Sequence, residues 1–202
     1  MRSHAASHRF LSKDKHLGPF IKKHGPVKHR RTHAHDVFRS LAEAIIYQQL
    51  SGKAADTICK RFVALFPGEF PAPSDVLKIK MAKLRFAGLS GQKGAYLKDL
   101  ALKCKDGTID PKQFAKMSDQ DIIAHVTAVK GIGEWTAHMF LMFTLGRPDV
   151  LPTGDLGVRK GFQRLFKLRS LPSPERMQTL AKPWLGHRTL ASFYLWRLLD
   201  EK

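Results

Sequence analysis

The sequence predicts an all-α fold. Apolar residues recur at helical spacing through most of the chain, capping residues precede these runs, and glycine or proline residues separate them. No segment shows the sustained alternation of a strand bounded by hairpin turns. We therefore expect about ten short helices, without an internal repeat or a long low-complexity tract.

Residues 1–35 form a basic segment that contains seven of the ten histidines. One short helix is predicted around residues 13–23, and the Gly25-Pro26 pair ends it. A metal site is conceivable here, but the histidine spacing is irregular and no acidic or cysteine partner recurs. The basic run at residues 28–31 either contacts nucleic-acid phosphates or is a solvated charge run.

Capping residues then mark the helices of the first half. Asp36 is predicted to cap a helix over residues 37 to about 50, and Ser51 a second helix to about residue 66. After a proline-rich link, Ser74 is predicted to cap a short helix. Ser90 is predicted to cap another helix, which ends near residue 104.

The second half contains a turn between two helices. Ser118 is predicted to cap a helix through residue 128, a glycine turn follows, and the next helix covers residues 134 to about 145. Asp155 opens another helix after an irregular turn. Two final helices are predicted from Ser173 and over residues 187 to about 199.

The charge gives the first indication of function. A formal net charge of +18 and a pI near 10.2 favour nucleic acid as the partner, because basic side chains release its condensed counterions; a merely basic protein is the alternative. Cys59 and Cys104 are too few for an iron–sulfur cluster or an all-cysteine zinc site, and we expect reduced thiols. Without a long apolar run or an apolar signal segment, we expect neither a membrane partner nor secretion.

The segment VKGIG at residues 129–133 places two glycines around one apolar residue between predicted helices. Glycine permits a tight turn with positive φ and leaves backbone N–H groups uncovered. The next helix starts at Glu134 with unpaired amides and a positive dipole end, which is typical of a phosphate site. A glycine turn of this kind is also a common packing feature, and Ile132 is expected to anchor it in the core.

Four stretches resemble, in the same order, the helix-hairpin-helix (HhH-GPD) DNA glycosylase superfamily. They are IIYQQLSGKAADTICKRF, LRFAGLSGQKGAYLKDLA, GIGEWTAHMFLMF with LPTGDLGVRKG, and WLGHRTLASFYLWR. The resemblance covers the chain from about residue 36 and agrees with the alkylbase branch, the DNA-3-methyladenine glycosylase II type. It implies a base excision repair enzyme that extrudes a damaged base from double-stranded DNA before cleaving its bond to the sugar.

The family's catalytic aspartate falls on Asp155. A carboxylate beside the sugar stabilises the oxocarbenium-like cation of glycosidic cleavage and orients or deprotonates the attacking water. A helix N-cap is the alternative role for this aspartate. Family members that also cut the DNA backbone carry a nucleophilic lysine two positions after the second hairpin glycine, so Trp135 implies a monofunctional, water-using enzyme.

The resemblance also implies the backbone-binding and cation-binding positions. DNA backbone contacts fall on Gly131, Ile132, Gly133, Glu134 and Thr136. A monovalent cation, Na⁺ or K⁺, falls on the main-chain carbonyls of Thr127, Val129 and Gly131. We expect no required cofactor and no iron–sulfur cluster.

Alkylated purines carry positive charge, which an electron-rich aromatic face attracts. Trp135 and Trp196 fall on pocket positions of the family, and Tyr47 is a further candidate. Leu156 stands where related glycosylases carry a second aromatic residue, which leaves the pocket's shape and the substrate range open. The remaining aromatic side chains considered, Phe62, Phe140 and Phe143, are assigned to the core.

Leu50, in the segment QQLS, falls on the wedge residue that fills the gap left in the base stack. A buried leucine at a helix end is the alternative. Gln48 and Gln49 either contact the orphan base or cap the helix.

The resemblance implies two lobes with a substrate cleft between them. The short helix of residues 1–35 is expected to pack on the C-terminal lobe, and residues 36–202 to form the glycosylase domain, with one lobe at about 51–155. The expected function is excision of 3-methyladenine- and 7-methylguanine-type bases by a monomer, in the bacterial cytoplasm at the nucleoid or in the eukaryotic nucleus. The alternatives are a glycosylase of the same fold for deaminated or oxidised bases and a non-catalytic DNA-binding module.

Overall fold

The computed structural model describes residues 4–27 and 36–201. The predicted basic run at 28–31 lies outside the described residues, as do His29, His33 and His35. The described residues confirm the all-α prediction, with thirteen α-helices and no strand among them. They are α1 (His4–Leu11), α2 (Leu17–His24), α3 (Val37–Tyr47), α4 (Gly52–Val63), α5 (Pro73–Lys78), α6 (Met81–Phe86), α7 (Gly91–Lys105), α8 (Pro111–Phe114), α9 (Asp119–Thr127), α10 (Glu134–Met139), α11 (Leu156–Leu165), α12 (Pro174–Leu180) and α13 (Arg188–Asp200).

The chain divides into two compact units. We call residues 32–140 the central unit, and residues 1–31 together with 141–202 the terminal unit. These bounds differ from the lobe predicted at 51–155. The difference at the first boundary arises because α3 packs against α7, and at the second because residues 147–150 are hydrogen-bonded to the start of α13. The cleft predicted between two lobes stays a prediction.

The central unit is built around α7, against which α3, α5 and α6 all pack. Its core contains fully buried leucine and isoleucine side chains such as Leu41, Ile45 and Leu97. Phe62, predicted to lie in the core, is fully buried and makes edge contacts with Phe66 and Phe70. The α9–α10 pair packs together and forms the helix-hairpin-helix motif.

The terminal unit is organised around α13, which packs against α11, α1 and α2. At Gly161 of α11, a Cβ would lie 2.7 Å from the Cβ of Leu195, so the two helices approach closely there. The polar contacts of α1 with the rest of the unit include His8 with the Tyr194 hydroxyl and Ser7 with His187. Because these bonds are partly or fully buried, they fix α1 on the unit.

The predicted caps are largely confirmed. Five predicted cap side chains accept a backbone N–H from the first turn of their helix: Asp36, Ser90, Ser118, Asp155 and Ser173. Ser51 stands at the N-cap of α4, but its hydroxyl makes no capping bond. The prediction for Ser74 is wrong, because α5 begins at Pro73 and Asp75 accepts the amide of Ala72 instead.

Several helices also differ from prediction, in number or in their ends. The N-terminal segment has two helices instead of one, since Asp14 accepts the amides of His16 and Leu17 and starts α2 there. Helix α3 ends at Tyr47, three residues early. After α10 the chain continues as a π-helical segment, Phe140–Leu145, which ends at Gly146 with φ 64°. None of the helices within residues 4–27 and 36–201 is both long and apolar enough to cross a membrane.

Candidate active site

Asp155 is the N-cap of α11 and is partly buried in the terminal unit. Its Oδ1 accepts two hydrogen bonds, from the Val158 amide at 2.7 Å and from Nε1 of Trp196 at 2.8 Å. Asp155 therefore does cap α11, the alternative role named in the sequence analysis. The second donor, from a helix 41 residues away, fixes the carboxylate beyond what capping requires and is compatible with a chemical role.

Trp196 connects this carboxylate to a group of aromatic side chains. Its ring stacks on Phe143, with centroids 6.0 Å apart and planes 16° apart, and on Phe193 at 5.7 Å and 26°. The three rings line a cavity of about 670 Å³, together with Arg197 and the segment after α2. Flat faces of this kind suit a planar, cationic group.

The assignment of Phe143 to the core is wrong. It is partly exposed and lines the cavity, whereas Phe140 is only 4% exposed. The helical period places both phenylalanines on one face, but the π-helical segment has a wider turn and changes that register. Phe193, which sequence reasoning did not single out, has the correct spacing to share a face of α13 with Trp196.

One side of the cavity is the chain that follows α2, and Arg197 holds it. The guanidinium donates to the carbonyls of His24 at 2.7 Å, Pro26 at 3.2 Å and Gly25 at 3.3 Å. Glu201 accepts from Arg197 at 3.5 Å and pairs with His24 at 3.1 Å. Hydrogen bonds from Arg197, and not apolar packing alone, therefore hold this side of the cavity in place.

The hairpin is shaped by contacts from α7. Gly131 has φ 81°, and a Cβ there would lie 2.1 Å from Cδ2 of Tyr96, so only glycine fits. The Lys130 amide donates to Oδ2 of Asp99 at 2.8 Å, and Ile132 is 4% exposed, as the anchoring prediction requires. The second glycine of the motif, Gly133, has φ −98° and does not need the left-handed region.

The residues after the hairpin separate into exposed and buried positions. Glu134 and Trp135 are exposed, with half of the Trp135 side chain open to solvent. Thr136, a predicted DNA-backbone contact, is only 7% exposed, so its side chain faces the interior of the central unit. Burial lowers the pKa of His138, one turn further on, and the nearby Glu134 carboxylate opposes that shift.

Two of the three carbonyls predicted to hold a monovalent cation accept hydrogen bonds within the protein. The Val129 carbonyl accepts from the Ile132 amide at 3.1 Å, and that of Gly131 from Nε2 of Gln48 at 2.8 Å. Each carbonyl oxygen has a second lone pair, so these bonds leave room for a cation. Among the described residues, no group of three or more histidine, cysteine, aspartate or glutamate side chains could hold a metal ion.

The turn that carries Leu50 is held by a lysine of α7. Lys93 on α7 donates to the carbonyls of Ile46 and Gln48, both at 2.7 Å, and burial lowers its pKa. Gln49 has φ 58°, an uncommon value for a residue with a side chain. Leu50 is 38% exposed, so the alternative of a buried helix-end leucine is wrong.

The two remaining pocket candidates are also exposed. Tyr47 is 39% exposed and donates its hydroxyl proton to Asp56, and this hydrogen bond is the main cause of its raised pKa. Leu156, the first residue of α11, is 53% exposed beside Asp155. The structure thus brings Asp155, Leu156 and Trp196 together in the terminal unit, and joins the Leu50 turn to the hairpin through Gln48 in the central unit.

A family model described as HhH-GPD superfamily base excision DNA repair protein matches residues 42–186, which include the hairpin and Asp155. The chain belongs to the HhH-GPD superfamily. Among HhH-GPD relatives, DNA-3-methyladenine glycosylase 1 of Schizosaccharomyces pombe is 35% identical over 162 residues, 79% of this chain and 71% of that protein. The Bacillus subtilis protein YfjP is 31% identical over 172 residues, and the chain spans 60% of its length.

Solved HhH-GPD structures show the same architecture. The 3-methyladenine DNA glycosylase Mag1 of S. pombe, in complex with abasic DNA, matches with a TM-score of 0.82 at 31% identity, covering 96% of each chain. A DNA-3-methyladenine glycosidase of Bacillus halodurans matches with a TM-score of 0.89 at 31% identity, covering 99% of this chain and 92% of that one.

Proposed function

We propose that this HhH-GPD protein is a DNA glycosylase that hydrolyses the N-glycosidic bonds of alkylated purines in double-stranded DNA. The observation that carries the proposal is the Asp155 carboxylate, which is held by the Val158 amide and by the indole of Trp196, a ring that also lines an aromatic cavity. Relatives named as 3-methyladenine glycosylases, at 33–35% identity, support the substrate class.

The proposed mechanism uses few groups. A base alkylated at N3 or N7 already carries positive charge and leaves readily, so a protonating acid is not needed. The partly exposed rings of Phe143 and Trp196 hold the extruded cationic base, and the buried ring of Phe193 supports Trp196 from behind. Asp155 stabilises the developing oxocarbenium charge and orients or deprotonates the attacking water. Trp135 stands where bifunctional members carry lysine, which supports a hydrolase without lyase activity.

Binding of the DNA backbone is assigned to the central unit. The phosphate contact is assigned to the backbone of the Gly131–Gly133 turn and the start of α10, and the net charge of +18 supports affinity for a polyanion. The carbonyls of Thr127, Val129 and Gly131 would hold a monovalent cation, which supplies positive charge for a DNA phosphate. Leu50 fills the gap left by the extruded base. We propose a monomer that acts wherever the cell keeps its DNA, at the nucleoid or in the nucleus.

The test is release of free base from duplexes that each contain one lesion: 7-methylguanine, 3-methyladenine, hypoxanthine or 8-oxoguanine. We expect release of the two alkylated purines only. Release confined to hypoxanthine or 8-oxoguanine would support the same fold acting on deaminated or oxidised bases, since Leu156 stands where related glycosylases carry a second aromatic residue. Borohydride should trap no covalent DNA adduct, because Trp135 cannot form a Schiff base.

Asp155→Asn is the decisive variant. Asparagine keeps the N-cap but loses the charge, so the fold and DNA binding should persist. At an effective dielectric constant of about 20, a carboxylate about 4 Å from a unit positive charge contributes about 4 kcal/mol, or about 10³-fold in rate. Undiminished release by Asp155→Asn would exclude Asp155 as the catalytic group, and duplex binding without any release by the wild type would favour a non-catalytic DNA-binding module.

A further inference from the structure

The loop that leads to Asp155 is attached to the first turn of α13. The Thr189 hydroxyl donates to the Arg147 carbonyl at 2.6 Å and accepts from the Val150 amide at 2.9 Å. The Thr189 amide donates to the Pro148 carbonyl at 3.1 Å. Thr189 is 6% exposed. Its buried hydroxyl uses its one proton as a donor and a lone pair as an acceptor, and the two bonds together fix the orientation of the side chain.

An ion pair strengthens the same attachment. Nε and Nη2 of Arg188 donate to Oδ1 and Oδ2 of Asp149 at 2.6 and 2.8 Å, a bidentate arrangement. The Arg188 amide also donates to Oδ1 of Asp149 at 3.3 Å. His187, at the N-cap of α13, provides no side-chain cap, so Asp149 caps the helix from a distant part of the chain.

A second attachment lies further along the same helix. Trp196 follows Thr189 by seven residues, about 10 Å along a helix axis. The chain from Val150 to Asp155 could extend to about 17 Å, which is longer than the distance along the helix. The length of the loop therefore does not by itself fix the position of Asp155. Tight turns take up part of this length, with the Thr153 amide on the Leu151 carbonyl.

We propose that Thr189 and the Asp149–Arg188 pair are positioning residues for Asp155. They fix the start of the loop to α13, whose Trp196 then holds the carboxylate at the other end. One rigid helix thereby sets the distance between the two attachments. This inference rests on the proposed function for its effect on rate, whereas its effect on the Trp196–Asp155 contact does not depend on catalysis.

The test compares Thr189→Val, which removes the hydroxyl at nearly constant shape, with Thr189→Ser, which retains it. With enzyme in excess, we expect Thr189→Val to slow 7-methylguanine release by about 10- to 100-fold, since small displacements of a reacting group have effects of this size. Duplex affinity should stay within about twofold, because the hairpin is unchanged. Thr189→Ser should restore most of the rate.

A spectroscopic measurement separates positioning from a general loss of stability. The protein has three tryptophans, so an indole ¹H–¹⁵N spectrum has three resonances, and Trp196→Phe assigns one of them. We expect Thr189→Val to shift the Trp196 resonance. Thr179→Val is the control for loss of a threonine hydroxyl, since that hydroxyl donates to the Glu175 carbonyl one turn back in α12, and it should change neither rate nor resonance.

An unmoved Trp196 resonance in Thr189→Val, or a rate within twofold of wild type, would overturn the inference. If Thr189→Val does not fold, the same measurements on Asp149→Asn decide the question. If the wild type releases no base, the proposed function fails, but the Trp196 resonance still tests the positioning role.

Discussion

Gly157 lies in the first turn of α11, directly beside the contact between Asp155 and Trp196. A Cβ at this position would lie 2.8 Å from Cδ1 and 2.9 Å from Nε1 of Trp196, and 3.1 Å from Oδ1 of Asp155. Ordinary van der Waals contact begins at 3.4 Å. In Gly157→Ala the indole must therefore retreat by roughly half an ångström, which disturbs the 2.8 Å hydrogen bond to the carboxylate.

The expected magnitude follows from that bond. A hydrogen bond to a charged group contributes about 1.5–3 kcal/mol, so losing its alignment should slow single-turnover base release by about 10- to 150-fold. Stability should change little, because alanine is favoured over glycine in a helix by about 1 kcal/mol, which offsets part of the crowding. The prediction is thus a loss of rate without a matching fall in the thermal midpoint.

The assay is single-turnover release of 7-methylguanine, with thermal unfolding measured on the same preparations. Gly91→Ala is the matched control, because Gly91 also lies in the first turn of a capped helix but has no atom within 4 Å of its Cβ position. A rate for Gly157→Ala within twofold of wild type would refute the reasoning. So would an equal loss of rate in the control.

Three further predictions concern the hairpin. Gly131→Ala should lower the free energy of unfolding in urea by more than about 1–2 kcal/mol, because the alanine must adopt a left-handed conformation and its Cβ meets the Tyr96 ring. Gly133→Ala is the control, since the space at its Cβ is open, and it should lower the free energy of unfolding far less. Equal losses in the two variants would contradict this. Glu134→Gln should tighten duplex binding by up to about fivefold in low salt, measured by fluorescence anisotropy, and an unchanged affinity would count against phosphate binding here. Burial lowers the pKa of His138, so the unfolded chain takes up its proton near pH 6.5 while the folded chain takes it up only at lower pH. The contribution of His138 to the free energy of unfolding is therefore fully present above pH 6.5. As the pH drops below 6.5, the free energy of unfolding decreases by at most about 1.4 kcal/mol per pH unit. The free energy of unfolding of His138→Gln should depend less steeply on pH in this range.

The caps and the helices were predictable because they depend on neighbours. Asp36, Ser90 and Ser118 each accept an amide three residues ahead, a contact that residue type and spacing encode. The end of α3 was not predictable in this way. Lys93 takes the carbonyls of Ile46 and Gln48 from 47 and 45 residues away, and no local pattern contains that contact.

The same distinction between local and distant contacts applies to the candidate active site. Residue type and motif order single out Asp155, Trp196 and the hairpin. The aromatic cavity was only partly predicted, because the π-helical segment moves Phe143 out of the register that a regular helix would give. The pairing of Trp196 with Asp155 joins two segments 41 residues apart, so spacing alone could not assign the indole to the carboxylate.

The sequence by itself determined the all-α class, the capping residues and the family motifs, because these depend on residue type and short spacing. Only the tertiary structure decided what a side chain would meet at particular glycines. The Tyr96 ring occupies the space of a Cβ at Gly131, and the Trp196 indole occupies that space at Gly157. Such contacts arise when helices distant in sequence pack at van der Waals distance, and packing of that kind is a property of the folded chain.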